Sequence, residues 1–573
     1  MSGSAHLAGV IGAHLVAASG ITIPHIDYTA ILPELILLGG MLLLLAAAAL
    51  SPRPLPTEAY ATATVGLGTA SLVTSLVLWR DVTDRGPLTT VAHSIDVDGF
   101  ALFFLVTISC ILVVAPMLGA GYLRREGIAG PEYYVLALIS GSGAMFMASA
   151  NDLVLVFLGL EILSIPLYVL AGLDHRREAS GEAAMKYFVL GAFSSAIFVY
   201  GIALTYGATG STNLAEIGAF LARNVVTSNG VLIGGLGLLL VGFAFKVAAV
   251  PFHMWTPDVY QGAPTPATGF MAAMAKAGGF AALLRVFVST FPSLRSSWQP
   301  VVFVLAALTL LVGAVVAVVQ SDVKRMLSYS SINHAGFVLL GLQAATARGV
   351  AGSLYYVFTY GLVVLGSFAV VSLVGGSGED RHDLARFRGL GRRQPVIATA
   401  FAVLLLAQAG APFTTGFFAK LYVVEASAAA HSYLLAAIAM GSAAIAAFFY
   451  LRVVFLMFSD AGAAAPAGEA STTGAVEAAR SMGVEPAGAA GGSWVPEPSG
   501  AVATMVAPVT RSAAADLRTV SSGVVALDVS GEPPVATSPW ILAGLGICVA
   551  VTVVFGIWPQ PLVEFAHQAT LLF

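Results

Sequence analysis

Long apolar runs, separated by short polar stretches, make up most of this 573-residue chain. At about 20 residues per membrane crossing, they predict about fourteen transmembrane helices. The runs are 29–50, 59–79, 99–120, 132–150, 152–173, 183–207, 230–262, 264–291, 300–320, 324–343, 350–375, 395–428, 432–458 and 538–559. Two of them, 230–262 and 395–428, are longer than a plain span and carry breakers in the middle. These are Pro251 in the first and Gly410 with Pro412 in the second. A proline inside a helix removes a hydrogen bond and clashes with the preceding turn. In lipid the freed carbonyls need partners, so such a break persists only where protein or water lines it.

Broken spans at matching places in two halves point to inverted repeats with a site near the membrane midplane. The expected organisation is an extension over 1–28, three helices over 29–130, a first repeat over 131–299 and a second over 300–460. A loop over 461–537 and a last helix over 538–573 follow. Direct similarity between the halves is little more than Val250-Pro251-Phe252 against Ala411-Pro412-Phe413. Residues 1–24 lack the basic leading segment of a cleavable signal. The 461–537 stretch, rich in Ala, Gly, Ser and Pro, cannot bury a core and reads as a disordered cytoplasmic loop. The fold class is an all-α polytopic membrane protein with two five-helix inverted repeats and two broken helices.

Composition agrees: 58% of residues are hydrophobic and only 10% charged, against roughly 25% charged in soluble domains. Cys110 and Cys548 both lie inside apolar runs, so neither a disulfide framework nor a metal site follows. A net charge of −4 over this length says nothing about partners. Assigning the loops alternately, one face holds Arg53, Arg124, Arg125, Arg176, Arg177, Lys324, Arg325, Arg381, Arg386, Arg388, Arg392, Arg393 and Arg452. The other holds Arg80, Arg85, Arg223, Arg285, Arg295 and Arg348. The positive-inside rule makes the first face cytoplasmic, with both termini outside.

The ionisable residues inside the spans carry the chemistry. The chain has five lysines, Lys186, Lys246, Lys276, Lys324 and Lys420, and four of them fall inside apolar runs, while Lys324 stands at the very edge of its run. A lysine at mid-bilayer costs about 3 kcal/mol on insertion scales. Unlike arginine, it is able to release its proton when buried. Lys246 precedes the Pro251 break, Lys276 lies in the next helix, and Lys420 follows the second break. Two lysines flanking a break suggest a path for protons or ions. Glu161 stands nine residues beyond Asp152, about 14 Å at 1.5 Å per residue, near the middle of a ~30 Å hydrocarbon layer. It is read as a modulator of Lys246, against the alternative of a packing hydrogen bond. Lys186 is barely a turn inside its helix and reads equally as a relay or a snorkelling side chain. His253 suits a relay or the capping of a freed carbonyl. His334 follows Ser328, Ser330 and Ser331 on a polar face that could hold water or join helices. Glu34 is expected at headgroup level at the outer end of the first span.

The run Lys246 to Pro264, above all Pro251-Phe-His-Met-Trp-Thr-Pro-Asp-Val-Tyr-Gln-Gly-Ala-Pro264, resembles the antiporter-type membrane subunits of bacterial respiratory complex I, the proton-translocating NADH:quinone oxidoreductase. The resemblance covers about 29–458 and the last helix. Leu32-Pro33-Glu34-Leu35, the run from Met185-Lys186-Tyr187 to Ala196, and a lysine at 420 place it nearest the subunit N branch. It implies a central proton axis of Glu161, Lys246, Lys276 and Lys420, with Lys186, His253 and His334 auxiliary. It also implies partners among the other membrane subunits and, through them, a peripheral arm. No nucleotide-binding glycine motif or cysteine cluster is present, so NADH, FMN, iron–sulfur clusters and quinone are expected in partner subunits and no cofactor here. The expected setting is the bacterial plasma membrane, and no nucleic acid is involved. Two departures stand out: Phe413 where the family often has a second proline, and a longer 461–538 loop. A subunit of a multi-subunit cation/proton antiporter shares the Glu–Lys–Lys pattern. A non-transporting membrane scaffold would use the buried charges for packing alone.

Overall fold

The computed structural model describes residues 26–52, 55–128, 130–224, 230–376, 382–459 and 538–569. Nearly all of the predicted extension and the whole 461–537 loop lie outside them. The helices are α1 Leu32–Leu50, α2 Thr57–Arg85, α3 Gly99–Arg125, α4 Glu132–Ser149, α5 Leu153–Ala171, α6 Glu178–Thr209 and the short α7 Leu214–Arg223. The first broken span is α8 Gly230–Lys246 and α9 Trp255–Gly262, followed by α10 Thr265–Leu284, which continues through a π-helical turn over Arg285–Thr290. Then come α11 Arg295–Val318, α12 Val323–Ala344, α13 Ala347–Gly375 and the single turn α14 Leu390–Arg393. The second broken span is α15 Pro395–Ala409 and α16 Thr415–Ala429. It is followed by α17 Tyr433–Phe458, α18 Pro539–Ile557 and the short α19 Gln560–Gln568.

Among the described residues, ten helices are long and apolar enough to cross a membrane. Of the other four predicted spans, two are the broken ones, whose first halves α8 and α15 are shorter apolar helices. The last two, α4 and α12, carry buried serines, and α12 adds Asn333 and His334. Both breaks fall where Pro251 and Gly410–Pro412 predict them, with helix absent from Val247 to Met254 and from Gly410 to Thr414. α3 and α13 are apolar on every side and almost wholly enclosed, as expected of a helix that other helices surround.

One backbone feature occurs twice, at the start of α5 and at the start of α12. Asp152 caps α5, accepting from Val154 N, and bridges to Asn213; Asp322 caps α12, accepting from Arg325 N, and bridges to Asp383. Leu153 N donates to Thr212 O and Leu214 N to Asn151 O, each at 2.9 Å. Val323 N donates to His382 O at 2.8 Å and Leu384 N to Ser321 O at 2.9 Å. The sequence spacing between the two sets is the same for every partner. In both places a capping aspartate at a helix start also bridges to a segment about sixty residues on.

The predicted outer loop over 80–98 instead contains a hairpin, β1 Leu88–Thr90 against β2 Ile95–Val97, paired antiparallel with Leu88 opposite Val97. Thr89, Thr90, Ile95 and Val97 are β-branched and favour strands. Val91, Ala92 and His93 turn the chain at positive φ. Glu34 also departs from expectation. It lies on the α1 stripe Pro33, Glu34, Leu37, Gly40 and Leu44 that faces the bundle, and only 1% of it is exposed. Helical spacing turns it inward against the neighbouring helices rather than toward the surroundings.

Candidate proton-relay site

The α8 helix ends at Lys246 itself, and the ammonium is 3% exposed. Its Nζ donates to Ser164 Oγ at 2.7 Å, and Ser164 in turn donates to Leu160 O within α5. Glu161, one turn earlier on α5 and half-buried, accepts from Ser195 Oγ of α6. Glu161 and Lys246 make no ion pair; Ser164 stands between their roles.

Lys276, 3% exposed on α10, donates to Val247 O. Val247 is the first residue past α8, so Lys276 sits at the carbonyl end of the half-helix that carries Lys246. Carbonyls there have no helical partner and form the negative end of the helix dipole. Lys420 repeats this at the second break: its Nζ donates to Gln408 O and Ala409 O, both at 2.8 Å, and lies 5.0 Å over the Phe337 ring. Gly410 makes the arrangement possible. It turns the chain at φ 88°, and a Cβ there would lie 2.9 Å from Lys420 Cδ. The two breaks are not built alike, because Lys246 is the last residue before its break while Lys420 lies inside the resumed helix.

His334 sits in a network of hydroxyls. Its Nδ1 meets Tyr356 OH at 2.7 Å and its Nε2 meets Tyr450 OH at 3.0 Å. Tyr450 OH bonds Ser330 Oγ, which donates to Gln408 Oε1 at 3.3 Å. Gln408 Nε2 donates to Ser367 Oγ at 2.8 Å, while its backbone carbonyl holds Lys420. The line from His334 to Lys420 thus passes through Tyr450 and Gln408. A cavity of ≈ 10 Å³ between His334, Thr359, Gln408 and Thr415 is on the scale of one water. Tyr356 and Tyr450 carry no signal in the sequence, since a tyrosine in an apolar run reads as filler.

The remaining sequence candidates lie off this line. Lys186 is half-exposed and pairs with Glu182 at 2.7 Å and Asp258 at 3.1 Å. It lines a cleft of ≈ 330 Å³ with Asp258, Gln261, Asp322 and His382. His253 is half-buried in the first break, its Nδ1 without a hydrogen-bond partner among the described residues, and it bonds none of the lysines. Lys324 is the residue that sequence reasoning passed over. Assigned to a cytoplasmic loop, it is wholly buried at the start of α12, and its Nζ donates to Ala263 O at 2.5 Å, at the carbonyl end of α9. The Asp-x-Lys pattern after a helix end hides it, because a charge at a span boundary reads as solvated. Among the described residues no three His, Cys, Asp or Glu side chains gather to hold a metal.

This arrangement can pass protons between hydroxyl groups and lysines. Residues 150–446 match the family model described as NADH:quinone oxidoreductase/Mrp antiporter, TM. NADH-quinone oxidoreductase subunit N of Trichlorobacter lovleyi is 45% identical over 58% of this chain and 68% of that protein. The subunit N of Mycobacterium tuberculosis (strain CDC 1551 / Oshkosh) is 36% identical over 96% of this chain and 99% of its own length. A chain of respiratory complex I from Thermus thermophilus with bound Aureothin superposes with TM-score 0.69 at 29% identity, covering 93% of this chain and 98% of that one. The chain therefore belongs to the NADH:quinone oxidoreductase/Mrp antiporter membrane-subunit family, in its subunit N branch.

Proposed function

We propose that this chain translocates protons across the bacterial plasma membrane as the subunit N of an NADH:quinone oxidoreductase. The observation that carries this reading is the setting of three buried lysines. Lys246, Lys276 and Lys420 are each held by neutral oxygens beside a helix break, and none pairs with a carboxylate. An ammonium so held leaves no orphaned carboxylate behind when its proton moves on, whereas a packing ion pair would. A scaffold gains nothing from three such groups, since each costs about 3 kcal/mol at mid-bilayer.

In this reading Glu161, Lys246, Lys276 and Lys420 form the axis. Lys246 takes up or releases its proton under the influence of Glu161, which acts across Ser164. Lys276 stands at the junction, and His334 with Tyr450 and Gln408 carries the line toward Lys420. Lys186 and His253 are auxiliary, at the cleft and in the first break. The matched Asp152 and Asp322 stitches support division into repeats over 131–299 and 300–460. Five crossings in each make the second repeat inverted relative to the first. Electron transfer in partner subunits, which hold the NADH, FMN, iron–sulfur and quinone sites, drives the cycle; this chain supplies no cofactor site. Its partners are the other membrane subunits, the peripheral arm they carry, and the bilayer. The arginine-rich face is cytoplasmic and both termini face outward. Contacts between loops support one shared face: Arg176 reaches Glu126 O at 2.6 Å and Arg125 reaches Ser372 O at 3.0 Å.

The test is proton pumping by assembled complexes in vesicles. Lys246→Ala should abolish most of it, and Lys246→Arg should not restore it, because a guanidinium does not release its proton. Normal pumping by assembled Lys246→Ala complexes overturns the reading. Co-purification in mild detergent with cation-antiporter subunits, and without flavin and iron–sulfur subunits, would favour the antiporter alternative.

A further inference from the structure

The first three helices lie outside the relay, yet they enclose a carboxyl group of their own. Glu34 is 1% exposed on the bundle-facing stripe of α1, and its Oε2 has no hydrogen-bond partner among the described residues. Among the described residues no basic side chain pairs with it. Burying an unpartnered polar group costs several kcal/mol in an apolar medium, and an ionisable group inside a membrane bundle usually marks a functional site.

The neighbouring helix α2 carries a run of polar residues on its inner face. The buried face of α2 reads Thr57, Tyr60, Thr64, Gly68, Ser71 and Ser75, while its outward positions Val73, Leu76 and Val77 are apolar and exposed. Ser71 Oγ donates to Pro33 O, next to Glu34, at 3.3 Å. Ser109 Oγ of α3 donates to Ser71 Oγ at 3.2 Å, and Ser75 Oγ donates to Ser71 O at 2.8 Å. Beyond them the seam closes: a Cβ on Gly68 would lie 3.2 Å from the Leu112 carbonyl carbon. Among the described residues no side-chain hydrogen bond joins this cluster to Glu161 or the lysines. The bundle therefore holds a buried polar cluster with one carboxyl beside it.

We propose that Glu34, with the Ser71–Ser109 hydroxyl pair beside it, is a proton-holding site of the first three helices, separate from the lysine axis. The carboxylic acid releases its proton to water and the carboxylate takes one back, with no other bond made or broken. A group used for packing alone would have its second oxygen satisfied, and here it is not.

Infrared difference spectroscopy of the assembled complex, exchanged from H2O to D2O, reads this directly. The unmodified complex should show a carboxylic acid carbonyl band that shifts on exchange. Glu34→Gln should lose it, and Ser71→Ala should keep it at a moved position. Lys246→Ala should leave it in place, so failure of the lysine relay and failure of this proposal give different results. A band unchanged in Glu34→Gln overturns the proposal. Should Glu34→Gln fail to assemble, Ser71→Ala decides: a moved band supports the site and an unmoved one overturns it.

Discussion

Lys246 gives its hydrogen bond to Ser164, at 2.7 Å, and not to Glu161 one turn away on the same helix. The serine receives from the lysine and lies on the α5 turn after the glutamate, itself donating to Leu160 O. Ser164→Ala removes an acceptor from a buried ammonium, a loss of about 1–3 kcal/mol. Pumping by assembled complexes should fall markedly. If Glu161 modulates Lys246, then Glu161→Gln, which keeps shape and hydrogen bonding, should impair pumping nearly as much as Glu161→Ala. A fully active Gln variant beside an unstable Ala variant would show that Glu161 serves packing.

At the second break, Lys420 and Gly410 act as one unit. Lys420→Ala and Lys420→Arg should both lose pumping if the lysine passes protons; survival of Arg alone would mark it as a membrane anchor. Gly410→Ala meets both a left-handed backbone, costing about 1–2 kcal/mol, and the Lys420 stem. Its assembled complexes should lose heat stability together with pumping.

Lys324 is expected to matter for structure at the α9–α12 contact. It is wholly buried and satisfies Ala263 O. Lys324→Met leaves that helix end short of a partner, again about 1–3 kcal/mol. Lys324→Arg adds volume to a closed site, costing about 1–3 kcal/mol. Both should lower the temperature at which the complex loses assembly, measured by native gel after heating. Unchanged assembly in both would assign Lys324 no structural role.

Asp96, in β2 and outside the spans, titrates near the pH of the medium. Burial pushes its carboxyl up to about 6, and Arg285 offsets this only in part. A carboxyl whose folded value is raised favours folding while protonated, and that contribution is lost as pH rises through about 6. Asp96→Asn removes the dependence. Its gain in thermal stability over the parent should therefore be absent in acid, grow between about pH 3.8 and about pH 6, and level off above that, read from unfolding midpoints across pH. A pH-independent difference would show that Asp96 does not titrate in this range.

The sequence by itself determined the spans, because twenty apolar residues have to cross a bilayer whatever surrounds them. It determined the two breaks as well, since Pro251 and the pair Gly410 and Pro412 act on their own backbone through local sterics. It marked Glu161, Lys246, Lys276 and Lys420, because a charge inside an apolar run is conspicuous in one dimension. Only the tertiary structure decided what those charges touch. That Lys246 meets Ser164, that Lys276 and Lys420 cap helix ends, and that Tyr450 links His334 to Gln408 depend on side chains far apart in the chain. Burial was the other unread quantity. Glu34 and Lys324 stand near span ends, where sequence position alone suggests water, and helical phase turns both inward against neighbouring helices. A charge's depth along the chain is local; the direction it faces is fixed by what packs beside it.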